Sequence, residues 1–411
     1  MDLLLDYTDK QISSAEITIS GSKSESNRLL ILQQWYPNLQ LKNLSDSDDT
    51  QHLQKALQSD KEVIDIGHAG TAMRFLTAYF SVLENRGVIL TGSERMQQRP
   101  IKILVETLRS LGAVIEYKKK EGYPPLRIRG KRLTTNKVSI NGNVSSQYIS
   151  ALLLIAPFLE NGLEIALLNE VTSRPYLEMT LRLLNRLEIS TNWIKNTIKI
   201  FPKSQIEDCA IMVESDWSSA SYFYSLIALS EIETSITLSS YKKNSLQGDS
   251  CLAEIYKNFG VETEFQDDII ILKKTNVISS AVEKSKLLEL NLRNAPDLAQ
   301  TIAVTCFGLG IACNLTGLHT LKIKETDRLV ALQNELRKLG AAIEITDNSL
   351  HLKESIISKS NMHIATYNDH RMAMAFAPLA LKVPVIIENA EVVTKSYRNF
   401  WEDLEACFTN S

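Results

Sequence analysis

The chain repeats itself, and an internal repeat limits the possible architecture more than any single motif does. One recurring element is an amphipathic segment that ends on a small residue and runs into an apolar stretch. It occurs at Leu104 to Ile115, Leu252 to Thr263 and Leu332 to Ile343, with a weaker copy at Leu181 to Ser190. Gly112, Gly260 and Gly340 stand where a helix C-cap needs a positive φ. A second, more apolar element begins on polar or small residues at Ser24, Gly70, Ser145, Asp216, Pro296 and Asn368 and continues for about three turns. These starts recur at roughly 70 to 80 residues, except that the first interval is nearer 45.

The pattern predicts six units that each read strand, helix, strand, helix, then strands, an α/β chain of βαβαββ-type repeats. Six such units make two pseudo-threefold domains more naturally than one, and the join falls near Met212 to Ser215, with three helix starts on either side. Unit one reads short, as if a strand pair were missing between Thr50 and Asp65. Chance alternation of helices and strands is the competing explanation, since any α/β protein shows some of it.

Composition narrows the function. At 411 residues the chain is long enough for two cores. Its net charge of -3 leaves no excess of cations to neutralise a nucleic-acid backbone, so any basic site is local. The first residues carry acids, Asp2 and Asp6, where an export signal needs cations, and the longest apolar runs, Ala151 to Leu159 and Thr301 to Leu315, fall short of the roughly 18 residues of a membrane span. A cytoplasmic protein is expected. The five cysteines form no CxxC pair and sit mostly inside apolar runs, as reduced, buried thiols do, and the six histidines form no HxxxH pair, so neither a disulfide framework nor a metal site is expected. Gly21-Ser-Lys-Ser lacks the earlier glycine of a P-loop, Gly308-Leu-Gly lacks the third glycine of a dinucleotide fingerprint, and no GxSxG elbow exists.

What remains is chemistry at the helix starts. A helix N-terminus exposes unpaired N–H groups and the positive end of the dipole, and so binds anions. Capping alone would explain Ser, Asp and Asn there. It does not explain the cations close by: Lys23, Arg28, Arg74, Arg99, Arg174, Lys324, Arg328, Arg371 and Lys395. A cation in the first turn opposes the dipole, and a bound anion reverses that penalty. The set is large enough for two anionic groups, although each cation singly could belong to a solvated face. Among them stand Asp297, Glu325, Asp327 and Asp369. Asp327 and Asp369 read as caps or arginine partners, whereas Asp297 and Glu325 read as acid–base candidates on an anionic substrate.

These motifs resemble one family. Gly21 to Arg28, Leu44 to Asp49, Gly67 to Arg74, Arg99-Pro-Ile, Gly122 to Leu126, Ser145-Ser-Gln147, Ser173 to Tyr176, Pro296-Asp297, Lys324 to Arg328 and Tyr367 to Met374 follow one another as in the 5-enolpyruvylshikimate-3-phosphate synthase family, with Lys395 beyond them. The resemblance covers essentially the whole chain. It implies two inside-out α/β domains of the enolpyruvyl transferase fold, with residues 21–213 as the N-terminal domain and residues 1–20 with 214–411 as the C-terminal one, closing on the substrates. It also implies a monomer that uses no metal or organic cofactor.

By the same resemblance, Lys23, Ser24, Arg28, Ser145, Ser146, Gln147, Ser173, Asp297 and Lys324 would hold shikimate 3-phosphate. Lys23, Gly70, Arg99, Gln147, Arg328, Arg371 and Lys395 would hold phosphoenolpyruvate, with glyphosate as competitor. Asp297 would accept the hydroxyl proton, Glu325 would protonate the enol carbon, and Lys23 would assist at the bridging oxygen. The chain departs from the family at Ser20, His68, Thr320 and Arg398, which stand where proline, asparagine, asparagine and proline are usual. A related transferase acting on UDP-N-acetylglucosamine carries a cysteine on the loop that here spans Thr91 to Arg99, and this loop has none. A binding scaffold without activity would have no reason to keep Lys23, Asp297, Glu325 and Arg371 together.

Overall fold

The computed structural model describes residues 1–143, 145–275 and 287–408. They form two compact units, Gly21–Val213 and Met1–Ser20 with Glu214–Ser411.

In Gly21–Val213 the three helices Lys23–Trp35, Gly70–Val82 and Ser146–Ile155 pack on one another and lie inside the sheets. The Gly70–Val82 helix is buried on nearly all sides, from Ala72 to Ser81, as its small and apolar composition requires. Its hydroxyls do not spoil the interior, because Thr77 Oγ1 donates to the Met73 carbonyl and Ser81 Oγ to the Thr77 carbonyl, each at 2.6 Å. The amphipathic helices Lys102–Ser110 and Arg174–Arg186 bury one face each, through Leu104, Val105 and Leu108 and through Leu177, Leu181 and Leu184.

Each full sheet is a parallel pair extended by an antiparallel hairpin. Val63–Asp65 runs parallel to Gly87–Thr91, which continues antiparallel into Leu126–Arg129 and Val114–Tyr117. Lys137–Asn141, Leu163–Leu168, Thr197–Ile200 and Thr191–Ile194 repeat that order. The third sheet has only the parallel pair Leu39–Lys42 and Cys209–Met212. The chain leaves Leu39–Lys42 through the helix Asp48–Leu57 and enters Val63–Asp65 directly, which is the hairpin missing from the sequence pattern.

The other unit is built alike. Its inner helices are Trp217–Leu229, Ala299–Leu309 and His370–Phe376. Buried hydroxyls join two of them, Ser221 with Thr301 at 3.1 Å and Thr305 with Ser225 at 2.7 Å. Around them lie two four-stranded sheets and the three-stranded sheet of Leu3–Leu5, Val385–Ile387 and Met362–Ile364.

The units exchange a strand. Ala15–Ile17 precedes the Lys23–Trp35 helix along the chain, yet pairs in parallel with Ser235–Ser239. Cys209–Met212 precedes the Trp217–Leu229 helix, yet pairs with Leu39–Lys42. Gly112, Gly260 and Gly340 hold positive φ values of 104°, 72° and 109° at helix ends. In the weaker copy Glu188 takes that place at φ 54°, a conformation that costs a non-glycine residue about 1 kcal/mol.

All five cysteines are free, but only Cys306, Cys313 and Cys407 are buried. Cys209 is partly exposed and Cys251, which ends the short 3-10 turn Gly248–Cys251, is exposed, so the expected burial holds for three of the five thiols. No helix among the described residues is long and apolar enough to cross a membrane.

Candidate active site

In Gly21–Val213, Ser22 caps the first helix by accepting from the Glu25 N–H at 3.4 Å, and Lys23 is the first helical residue. The Lys23 ammonium lies 3.3 Å from Asp49 Oδ2, and Asp49 comes from the first turn of Asp48–Leu57. His68 Nε2 lies 4.0 Å from the other oxygen of Asp49, and its ring meets His52 edge-on at 5.7 Å. A buried carboxylate thus anchors a cation that would otherwise be repelled by the helix dipole.

Gly70 opens the second inner helix. A Cβ built on it would lie 2.7 Å from Arg99 Nη1 and 3.1 Å from Arg99 Cζ, so the Arg99 guanidinium rests on the Gly70 backbone. The missing side chain leaves room for a protein cation, rather than a ligand alone, to approach the main chain, and any larger residue would make that guanidinium shift. The Arg99 segment is held by Tyr148, whose hydroxyl donates to the Pro100 carbonyl at 2.6 Å. Gln147, beside Ser145 and Ser146 at the third helix start, donates from Nε2 to Thr71 Oγ1 at 3.1 Å. Ser173 is left-handed at φ 54° and 7% exposed, just before the Arg174–Arg186 helix.

Three cations of this unit are held differently. Arg28 is buried and donates to Thr180 Oγ1 (2.7 Å), the Ser24 carbonyl (2.7 Å), Ser150 Oγ (3.0 Å) and the Tyr176 carbonyl (3.2 Å). Four of the five donors of its guanidinium are therefore engaged within the protein, and burial lowers it to about 10. Arg74 turns inward onto the Gly70 and Pro100 carbonyls. Arg174 lies at the surface, paired with Glu178 at 2.7 Å and stacked 4.4 Å over Trp193, as a solvated charged face does.

In the other unit the predicted residues converge on Asp297, in the 3-10 turn Pro296–Leu298. Its Oδ1 accepts from Arg328 Nη1 at 2.8 Å and lies 3.4 Å from Lys324 Nζ, while Oδ2 accepts from Arg371 Nη2 at 3.1 Å. Arg328 is 2% exposed and also donates to Asp369 Oδ2 at 2.7 Å and Glu325 Oε2 at 2.8 Å. Lys395 Nζ donates to Glu325 Oε1 at 2.9 Å. Asp369 caps the His370–Phe376 helix through the Arg371 N–H at 2.9 Å, and Asp327 caps Arg328–Leu339, the roles expected of both. Two of the cations are not at helix starts. Lys395 ends the 3-10 turn Ala390–Lys395, and Lys324 is extended, ahead of the Asp327 cap.

Burial alone would push the Asp297 carboxyl up. The charges of Arg371, Lys324 and Arg328 overcome it and hold the group well below the usual carboxylate range. Burial lowers Lys324 in spite of Asp297 beside it. Four cations (Lys324, Arg328, Arg371, Lys395) face three carboxylates (Asp297, Glu325, Asp369), an excess of one positive charge in a buried setting. Such a cluster can exchange carboxylate partners for the anionic groups of a ligand, and it keeps acids within reach of whatever binds.

Sequence reasoning missed Asp49 as the partner of Lys23, and it missed Ser218 and Asp249. Ser218 accepts from Arg371 Nη2 at 3.3 Å and donates to Asp249. The two acids stand at or just before helical first turns, where capping is sufficient explanation, and only the fold brings the cations to them.

The sequence matches the family described as EPSP synthase (3-phosphoshikimate 1-carboxyvinyltransferase) over residues 38–404. A 3-phosphoshikimate 1-carboxyvinyltransferase of Bacteroides fragilis (strain YCH46) is 48% identical over 394 residues, covering 95% of this chain and 94% of that protein. One of Haemophilus influenzae (strain PittEE) is 34% identical over 430 residues, covering 96% and 97%. The fold is shared with an EPSP synthase from Acinetobacter baumannii, with TM-score 0.77 at 19% identity over 99% of this chain and 98% of the other. It is also shared with the enolpyruvyl transferase NikO from Streptomyces tendae, with TM-score 0.70 at 13% identity over 100% and 99%.

Proposed function

Because the chain belongs to the EPSP synthase family and is a 3-phosphoshikimate 1-carboxyvinyltransferase of the shikimate pathway, we propose how its own side chains carry that transfer. The enolpyruvyl group passes from phosphoenolpyruvate to the 5-hydroxyl of shikimate 3-phosphate by addition and elimination. The enol C3 gains a proton, the hydroxyl oxygen bonds to C2, and C2 then loses phosphate as C3 gives its proton up.

The observation that carries this reading is the three-cation grip on Asp297. A carboxylate so held is a weak base. When the anionic groups of the substrates draw Arg371, Arg328 and Lys324 toward themselves, that grip relaxes and Asp297 becomes basic enough to take the hydroxyl proton. Base strength is thus linked to occupancy. Glu325, between Lys395 and Arg328, is the donor to C3, and Lys23 assists at the bridging oxygen. Arg328, Arg371 and Lys395, with Lys23, Gly70, Arg99 and Gln147, are assigned to phosphoenolpyruvate. Ser24, Arg28, Ser145, Ser146, Ser173 and Lys324, with Lys23, Gln147 and Asp297, are assigned to shikimate 3-phosphate. A cytoplasmic location, supported by the five free thiols, and a monomeric state are part of the same reading.

Phosphate release from the purified protein tests the reading. It is expected when both substrates are present; release with either substrate alone, or none with both, overturns it.

Gly70→Ala provides a sharper test of the phosphoenolpyruvate assignment. The new methyl would meet the Arg99 guanidinium at 2.7 Å. Arg99 is the far end of a flexible side chain, so it moves and takes its share of the anion site with it. Glyphosate is longer than phosphoenolpyruvate and uses that space more fully, so the inhibition constant should rise about tenfold more than KM, equivalent to about 1.4 kcal/mol. An unchanged ratio of the two constants removes Gly70 from the site.

A further inference from the structure

Asp249 is 3% exposed, lies in the 3-10 turn Gly248–Cys251, and is used by no step above. Its Oδ2 accepts from the Ser218 hydroxyl. That hydroxyl accepts at 3.3 Å from Arg371 Nη2, the nitrogen that donates to Asp297 Oδ2 at 3.1 Å. The other oxygen, Oδ1, is buried and takes no hydrogen bond among the described residues, an arrangement that disfavours a charge on it.

We propose that Asp249 is a positioning residue for the reaction: through Ser218 it fixes the Arg371 guanidinium against Asp297, and by holding or losing a proton it sets how much positive charge Arg371 offers an anionic substrate. This rests on the assignment of the Asp297 cluster as the reaction site.

The groups that face Asp249 are Asp297 from the Pro296–Leu298 turn, Arg371 from the His370–Phe376 helix, Asp216 and Ser218 from the start of Trp217–Leu229, and Cys251 on its own turn. Burial, followed by the charge of Asp297, pushes the Asp249 carboxyl up to about 7, against the opposing pull of Arg371 and the Ser218 hydrogen bond. Two acids one arginine apart are thereby driven in opposite directions. Asp297 is ionised throughout, while Asp249 is neutral below about 7 and becomes a second anion on Arg371 above it. Less of the Arg371 charge is then left for phosphoenolpyruvate, and KM should climb with pH while kcat changes little.

The test compares pH profiles of wild type, Asp249→Asn and Ser218→Ala between about pH 6 and 8.5. Substrate phosphates titrate identically in all three and cancel in the ratio. Wild type should lose about tenfold in kcat/KM for phosphoenolpyruvate relative to Asp249→Asn across the range, with KM carrying the change. In Ser218→Ala the carboxyl still titrates but KM no longer follows it. Carbon-13 NMR, with the Asp249 resonance identified by its loss in Asp249→Asn, should give a midpoint near 7 that Ser218→Ala moves upward. Superimposable wild-type and Asp249→Asn profiles, or a midpoint below about 5, overturn the proposal. If the protein releases no phosphate at all, the reaction reading fails separately, and the NMR midpoint still decides whether Asp249 holds its proton.

Discussion

Lys23→Ala should lower turnover about 100- to 1,000-fold, equivalent to about 2.7 to 4 kcal/mol, while the protein stays folded. Lys23 is assigned to both substrates and to the bridging oxygen, so its ammonium acts where charge changes during the reaction. Its position is fixed in advance: it opens a helix capped by Ser22, and its Nζ lies 3.3 Å from a buried Asp49 oxygen. A preorganised charge of this kind needs no reorganisation when the phosphate leaves, and water cannot replace it. Removing it also leaves the buried Asp49 carboxylate without that cation, so the melting temperature should fall while the protein stays folded at the assay temperature. Steady-state phosphate release and a thermal melt on both proteins check the two halves of the expectation. More than about a tenth of wild-type turnover in the variant would remove Lys23 from the site.

The second large effect is on stability. Arg328→Met should destabilise the unit of Met1–Ser20 and Glu214–Ser411 by about 3 to 5 kcal/mol, because breaking a buried ion pair from one side leaves the other charge uncompensated. Here three carboxylates each lose one cationic partner together: Asp297, Glu325 and Asp369, the last fully buried. The pH dependence has a definite sign. The Asp297 carboxyl is depressed in the folded protein, so its pairing stabilises the fold above the unfolded value near 3.9 and that stability is lost as the pH falls below it. Wild type has this contribution to lose and the variant has less, so their difference should be full at pH 7 and narrow below about pH 4. Urea unfolding at a series of pH values measures it. A gap independent of pH would show that methionine disturbs packing rather than charge.

The repeat was legible because its marks are local. A C-cap glycine at 112, 260 or 340 and a capping Ser22 or Asp327 act within one turn of their own helix. The weaker copy read poorly because Glu188 occupies the left-handed position without being glycine. Strand pairing was less legible from the residues, since nothing in Ala15–Ile17 names Ser235–Ser239 as its neighbour. In the site, the cations of Lys324 to Arg328 and Arg371 stood out by type and place, but which acid each one grips is decided by the fold. Gly70 was identified for its missing side chain, while the group that fills the space, Arg99, comes from a separate loop. Asp249 left no mark beyond a common helix-start residue, because its importance comes from Ser218 and Arg371, which lie far away along the chain.

The strand exchange also sets an order of events during synthesis. Every strand of Gly21–Val213 has its partner between residues 39 and 212, so that unit can close once Cys209–Met212 has emerged. Ala15–Ile17 is made earlier but waits for Ser235–Ser239, and Leu3–Leu5 waits for Val385–Ile387. At ribosomal speeds of 5 to 20 residues per second these delays are roughly 10 to 45 s and roughly 20 to 75 s. Leu3–Leu5, made before the other described strands, is thus among the last to be paired, and Ala15–Ile17 waits until every strand of Gly21–Val213 has its partner available. Until then they are carried as open edges beside a unit that has already folded, where only their shortness, three residues each, protects them from pairing with another nascent chain.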